Sequence, residues 1–251
     1  TIQTILDCGH LHASNGLKHA LIKYFWVSLP VRRCRFVTAI STATKNEILK
    51  YIKCDPEKIV VIPVAIADFF KRSDKSFNKI NPRILQIGTA PNKNIDRLIE
   101  ALRGIDCTLV VVGKKNLLYE DKIKEYGIPG GDGAGLANVQ MREQYHQADI
   151  IVLPSTYEGF GMPILEAQAV GRPVLTSNIS SMPEVAGDAA CLVDPYSAES
   201  IRAGVKKIIE DETYRNEMVN RGFKNVERFQ LAKVTKQYTD LYQELVERKA
   251  N

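Results

Sequence analysis

Apolar runs of four to six residues alternate along this chain with segments whose apolar positions recur every three or four residues. The runs have the pattern of strands buried on both faces, and the spaced segments that of amphipathic helices. In the opening part, Ile2–Leu6, Arg35–Ile40 and Lys58–Pro63 are expected as strands, and Gly16–Leu29 and Thr42–Ile52 as helices. Ser41 stands where an N-cap of the second helix belongs. A polar stretch, Lys71–Pro82, then interrupts the pattern and reads as a linker.

Beyond it the alternation is clearer. Strands are expected at Arg83–Gly88, Thr108–Gly113, Ile150–Pro154, Val174–Ser177 and Cys191–Asp194. Ile95, Leu98, Ile99 and Leu102 mark one intervening helix, and a second is expected from near Gly161 to Val170. Short apolar strands separated by helices predict an α/β fold with a parallel sheet covered on both faces. The tail reads as helices alone: Ser197–Ile209, Tyr214–Phe229 and Leu231–Lys249. Gly127–Gly135 holds five glycines but neither the dinucleotide fingerprint nor a P-loop, and reads as a mobile loop.

Composition narrows the class. With 45% hydrophobic and 25% charged residues in 251, the chain is neither disordered, collagenous nor a disulfide scaffold, and has room for one large domain or two small ones. No apolar run approaches the ~18 residues of a membrane span. Five scattered cysteines without metal-ligand spacing are expected to be reduced thiols of a cytosolic protein. No signal-peptide pattern is present, and because Thr1 lies partway into an apolar stretch, a natural start upstream is expected.

The net charge of +5 is unevenly spread: thirteen basic and six acidic residues precede position 81, and 21 and 23 follow it. Lys18–Phe36 interleaves Lys18, Lys23, Arg32, Arg33 and Arg35 with Leu21, Phe25, Trp26 and Leu29. Such a segment suits an anionic membrane surface. Taken alone, it reads more simply as a helix burying its aromatic face in its own core.

The chemistry concentrates between Ile150 and Gly171, IIVLPSTYEGFGMPILEAQAVG. A buried strand ends at Pro154, a turn holds Glu158, and Gly159-Phe160-Gly161 leads into a helix. Parallel sheets bind ligands beyond the carboxyl ends of their strands, and the unpaired N–H groups of a helix start suit phosphate. Glu158 and Glu166, eight residues apart, either accept hydrogen bonds from sugar or ribose hydroxyls or are surface glutamates near a helix start. Lys93, in the loop after the Arg83–Gly88 strand, is either a phosphate cation or an ordinary solvated lysine. His10 and His12 form a His-x-His without a third ligand and are not expected to hold a metal.

The strings GTAPNKNIDRLIEAL and ADIIVLPSTYEGFGMPILEAQAVGRPVLTSNISSMPEVAGDAACLVDP resemble the donor-binding half of family 4 glycosyltransferases of the GT-B fold. FVTAISTATKNEI and EKIVVIP resemble the end of that family's acceptor domain. The resemblance implies a Rossmann-like donor domain preceded by a partial acceptor domain. The expected divisions are a partial acceptor domain over 1–72, a linker over 73–82, a donor domain over 83–230, and a helix over 231–251 packing back on the N-terminal part. It implies retaining, metal-independent hexosyl transfer from a UDP- or GDP-sugar, used as substrate with no cofactor, to a glycan or lipid-linked acceptor.

By the same resemblance Glu158 and Lys93 serve catalysis, Glu158 on a hydroxyl of the donor sugar and Lys93 on the diphosphate. Glu166 takes the ribose hydroxyls, and Gly88, Thr89, Gly159, Phe160, Gly161 and Met162 complete the donor site. A role in cell-surface polysaccharide assembly is expected, in the cytoplasm or at the inner face of the cell membrane, with residues 18–36 on an anionic membrane and no nucleic-acid partner. Two departures stand out: Gly88-Thr89 replaces the Gly-Arg of many members, and Thr4-Ile5-Leu6-Asp7 lacks the histidine of Thr-x-His-Asp. The shortened acceptor part also admits a second expectation, a nucleotide-sugar-binding fragment with no turnover by itself.

Overall fold

The structure, a computed structural model, describes residues 1–12, 14–114, 117–132 and 138–250. It comprises two compact units, one of Thr1–Ala67, Glu158–Phe160 and Arg228–Asn251, the other of Asp68–Tyr157 and Gly161–Glu227.

In the first unit, strands β1 (Ile2–Ile5), β2 (Phe36–Ala39) and β3 (Ile59–Val61) form a parallel sheet in that order, with Ile2 opposite Phe36 and Val37 opposite Ile59. Short helices α1 (Gly9–His12), α2 (Gly16–Ile22) and α3 (Leu29–Arg33) join β1 to β2, and α4 (Thr42–Tyr51) follows β2. Successive strand side chains point to opposite faces. Val37 therefore joins Leu11, Val31 and Ile48 in one core, while Phe36 joins Ile62 in another, closed by Val234 and Leu241 of the C-terminal helix, Leu231–Ala250. Ser41 caps α4 as expected, its hydroxyl accepting from Thr44 N at 3.0 Å.

Two expectations fail between β1 and β2. The helix anticipated over Gly16–Leu29 gives way at Lys23–Ser28 to a wider π-type turn and resumes as α3, with Pro30 in its first turn where no N–H is needed. Its aromatic face is not in the core either. Val27 and Val31 are buried, but Trp26 is 72% exposed and Phe25 56%.

The second unit is a six-stranded parallel sheet built from β4 (Arg83–Ile87), β5 (Thr108–Val112), β6 (Gly130–Asp132), β7 (Ile150–Leu153), β8 (Val174–Ser177) and β9 (Cys191–Val193). Its order, β6-β5-β4-β7-β8-β9, is the 3-2-1-4-5-6 winding of dinucleotide-binding folds. The connecting helices are α5 (Ile95–Leu102), α6 (Leu117–Glu125), α7 (Asn138–Gln147), α8 (Met162–Val170) and α9 (Met182–Ala186). After β9 come α10 (Ala198–Glu210) and α11 (Glu212–Val226). Ile84, Leu109, Val152 and Leu175 share a core with Ile95, Leu98 and Leu102 of α5 and with Ile201 and Val205 of α10, the periodic residues of those helices.

Residues 68–82 belong to this unit, so the stretch read as a linker is folded onto it. Asp149 accepts from the backbone N–H groups of Asn78 (3.0 Å) and Arg83 (2.8 Å) and pairs with Lys75. The glycine-rich segment is not wholly a loop: Gly130 and Gly131 pair with Leu109 and Val110, and residues 133–137 lie outside the described residues. Among the described residues no helix is long and apolar enough to cross a membrane.

Candidate functional site

The winding of the second sheet reverses between the neighbours β4 and β7, and ligands of open α/β sheets bind beyond the carboxyl ends at such a point. The two loops leaving that edge, Gly88–Asn94 and Pro154–Tyr157, are stitched together. Asn92 donates its Nδ2 to Tyr157 O (2.8 Å) and accepts at its carbonyl from Thr156 N (2.8 Å). Asn94, in the left-handed region at φ 59°, donates to Pro154 O (2.9 Å) and Pro195 O (2.7 Å).

Lys93 sits between these clips, half-buried. Its aliphatic stem crosses Gly88 so closely that a Cβ there would lie 2.7 Å from Lys93 Cε, and Gly88 itself has φ +88°. Only glycine leaves that path open. Thr89 is turned to the neighbouring strand end, its Oγ1 accepting from Lys114 N at 3.1 Å.

The loop after β7 leads into α8, whose N-cap is Gly161. No side chain caps the helix; Pro163 has no N–H and Ile164 N donates to Gly161 O at 3.0 Å, so the helix start offers the backbone N–H of Met162. One turn further, half-buried Glu166 accepts a hydrogen bond at Oε2 from the hydroxyl of Tyr145 on α7. Tyr145 is fully buried, with Phe70 packed edge-on to its ring at 5.3 Å. Burial raises the Glu166 carboxyl above the ordinary range, and the Tyr145 hydrogen bond pulls it partly back. The Tyr145 phenol is pushed well up by burial first and by Glu166 second, so it remains a donor. Tyr145 was not legible as a site residue, because α7, NVQMREQYHQ, shows no apolar stripe.

Gly88, Thr89, Lys93, Gly161, Met162 and Glu166 thus share one edge of one sheet. The turn Glu158–Phe160 is built into the first unit. Gly159 O accepts from Ser41 Oγ (2.7 Å) and Thr44 Oγ1 (3.2 Å), and a Cβ on Gly159 would lie 2.6 Å from Leu6 O. Buried Phe160 meets Phe229 edge-on at 5.8 Å. Glu158, half-buried, lies in the same turn. Of the two histidines near β1, His12 pairs with Glu47. Among the described residues no three His, Cys, Asp or Glu side chains gather as a metal site.

Comparison with known proteins bears on the family and the fold. Residues 68–225 match the family model for glycosyl transferases, group 1. The chain is 28% identical to O-antigen chain mannosyltransferase B of Escherichia coli over 262 residues, covering 95% of this chain and 68% of that protein. It is 27% identical to the MMP alpha-(1->4)-mannosyltransferase of Mycolicibacterium hassiacum, covering 84% of this chain but only 54% of that relative. Its fold matches Anabaena Alr3699/HepE, solved with UDP and glucose, at a TM-score of 0.83 and 17% identity, over 97% of this chain and 71% of that one. Two α/β units with parallel sheets place the fold with the GT-B glycosyltransferases. With its second unit matched almost from end to end, the chain belongs to the group 1 glycosyl transferases.

Proposed function

We propose that this protein transfers a hexose, with retention and without a metal ion, from a nucleotide diphosphate-sugar to a glycan acceptor carried on a lipid. One observation carries the donor half of this reading: Lys93, the uncapped start of α8 and Glu166 occupy the same edge of the sheet at its switch point. Breaking the anomeric C–O bond sends its electron pair to the leaving diphosphate. The Lys93 ammonium and the Met162 N–H at the start of α8 stabilise that charge, the part a metal plays elsewhere. Glu166, with Oε2 held by Tyr145, offers its other oxygen to the ribose hydroxyls. Glu158 takes a hydroxyl of the donor sugar, Gly159 and Phe160 line the sugar's path, and the acceptor hydroxyl attacks from the face the diphosphate leaves, its proton passing to the departing diphosphate oxygen.

The mannosyltransferase relatives favour mannose as the sugar. The acceptor and the membrane enter through the first unit, where exposed Leu17, Phe25 and Trp26 alternate with Lys18, Lys23, Arg32 and Arg33. Apolar tips among cations match a bilayer surface rich in anionic lipid, and this reading puts the enzyme at the inner face of the cell membrane.

The test is a thermal-shift panel of UDP-, GDP- and ADP-sugars with wild type and Glu166→Ala. A ligand of the native state raises Tm with concentration over Kd. One member should raise the wild-type Tm, and Glu166→Ala should weaken that binding by about tenfold or more. A panel without any shift, or a shift indifferent to Glu166, defeats the assignment.

A further inference from the structure

At the opposite edge of the second sheet a cavity of about 350 Å³ opens beside Asp149 and Pro173, the residues that precede β7 and β8. It is therefore separate from the switch-point site at the carboxyl ends. Four cations line it, and two of them are matched: Arg72 pairs with Asp74 at 3.1 Å and Lys75 with Asp149. Arg172 and Arg215 are not. Each is more than nine-tenths buried, and among the described residues neither has a carboxylate within ion-pair reach. Arg172 spends its terminal nitrogens on carbonyls, chiefly Ser73 O (2.8 Å) and His146 O (2.8 Å), while its buried Nε has no partner. Arg215 donates to Ile208 O (2.8 Å) and lies over the ring of Phe77 at 3.9 Å.

Carbonyl dipoles and a ring face orient a guanidinium without pairing it, so two buried positive charges on one cavity have acids nearby, Asp149 among them, but none in ion-pair contact among the described residues. Burial accordingly lowers both guanidinium pKa values, despite the raising influence of nearby acids. The rest of the lining suits an organic group attached to an anion. Asn216 and Asn220 stand one turn apart on α11 with amides for hydroxyl groups, and Phe223 gives an apolar wall. The volume lies near the lower end of ligand pockets, which sets a small ligand.

We propose that this cavity binds a small phosphate monoester bearing hydroxyl groups, with the phosphate answering Arg172 and Arg215 and the hydroxyls meeting Asn216 and Asn220. Guanidinium forks match phosphate oxygens in geometry as well as charge. The site is independent of donor binding.

The experiment measures Tm and binding heat on the full chain with a hexose 6-phosphate, inorganic phosphate and the unphosphorylated hexose. Hexose 6-phosphate should bind saturably, inorganic phosphate more weakly, and the free hexose not at all. Arg215→Gln should weaken hexose 6-phosphate by about tenfold or more. Should that buried substitution prevent folding, Asn220→Asp at the exposed rim sets a carboxylate against the phosphate and should cause a comparable loss. Lys93→Ala, in the donor site, should leave the affinity unchanged. The proposal is overturned by no binding, by binding indifferent to the cavity variants, or by binding that Lys93→Ala abolishes.

Discussion

At Glu166 two effects oppose each other. Burial favours the neutral acid, and the hydroxyl of Tyr145 favours the carboxylate. Removing the hydroxyl in Tyr145→Phe leaves burial unopposed, so the Glu166 pKa rises further. If the carboxylate holds the ribose, binding is lost as pH falls through that pKa, and the acid limb of the donor-binding profile should move to higher pH in Tyr145→Phe. Calorimetric titration of the nucleotide sugar across pH measures the shift; an unmoved limb means that Tyr145 only fills space. Gly159 is decided by sterics instead. A methyl group 2.6 Å from Leu6 O and 2.7 Å from Asp7 Cβ forces the backbone to move, so Gly159→Ala should cost about 1–3 kcal/mol in a denaturant titration. The same change should reduce turnover, because Glu158 is the adjacent residue.

Among the elements, α8 shows how the switch-point edge is braced from behind. Its buried Gln168 donates to Ala186 O and Ala189 O (3.1 Å each) and accepts from Asn225 Nδ2 of α11 at 2.8 Å, and that amide also donates to Val185 O at 2.8 Å. Both amides are satisfied, which makes breaking the pair expensive. Asn225→Leu should destabilise by about 2–4 kcal/mol, with an unchanged m-value, in urea unfolding. Gly222, on α11, faces Gln168 closely as well.

The strands of this unit were largely readable, since Ile150–Leu153 and Val174–Ser177 are buried throughout and their apolar runs announce it. Strand β6 was not, because Gly130-Gly131-Asp132 carries no apolar signal and exists through pairing with β5. In the site, spacing brought Glu158 and Glu166 to attention together. It could not show that Gly159 hydrogen-bonds to Ser41 and Thr44, more than a hundred residues earlier, nor that Tyr145 would orient Glu166. Such contacts are tertiary and leave no local period. Asn92 and Asn94 were within reach of sequence reasoning, since asparagine tolerates the left-handed turn that Asn94 adopts.

For the molecule as a whole, the basic excess before residue 81 and the exposed aromatic tips of residues 24–26 fall in the same unit. Trp26 is the chain's only tryptophan and is 72% exposed, so its fluorescence reports this surface alone. Vesicles with anionic headgroups should shift its emission to the blue, zwitterionic vesicles should not, and salt should weaken the effect as screening grows. Equal response to both lipids would leave the cations without a part in binding.

The first unit also has an unusual order of completion. Its sheet is contributed by residues 1–67, yet the core around Phe36 and Ile62 is closed by Val234 and Leu241, which follow the whole second unit in the sequence. During synthesis the intervening unit therefore has all its strands and helices in hand before that face of the first unit's sheet is sealed. A product clipped between the second unit and residue 231 would carry that unit intact together with a sticky, half-covered sheet.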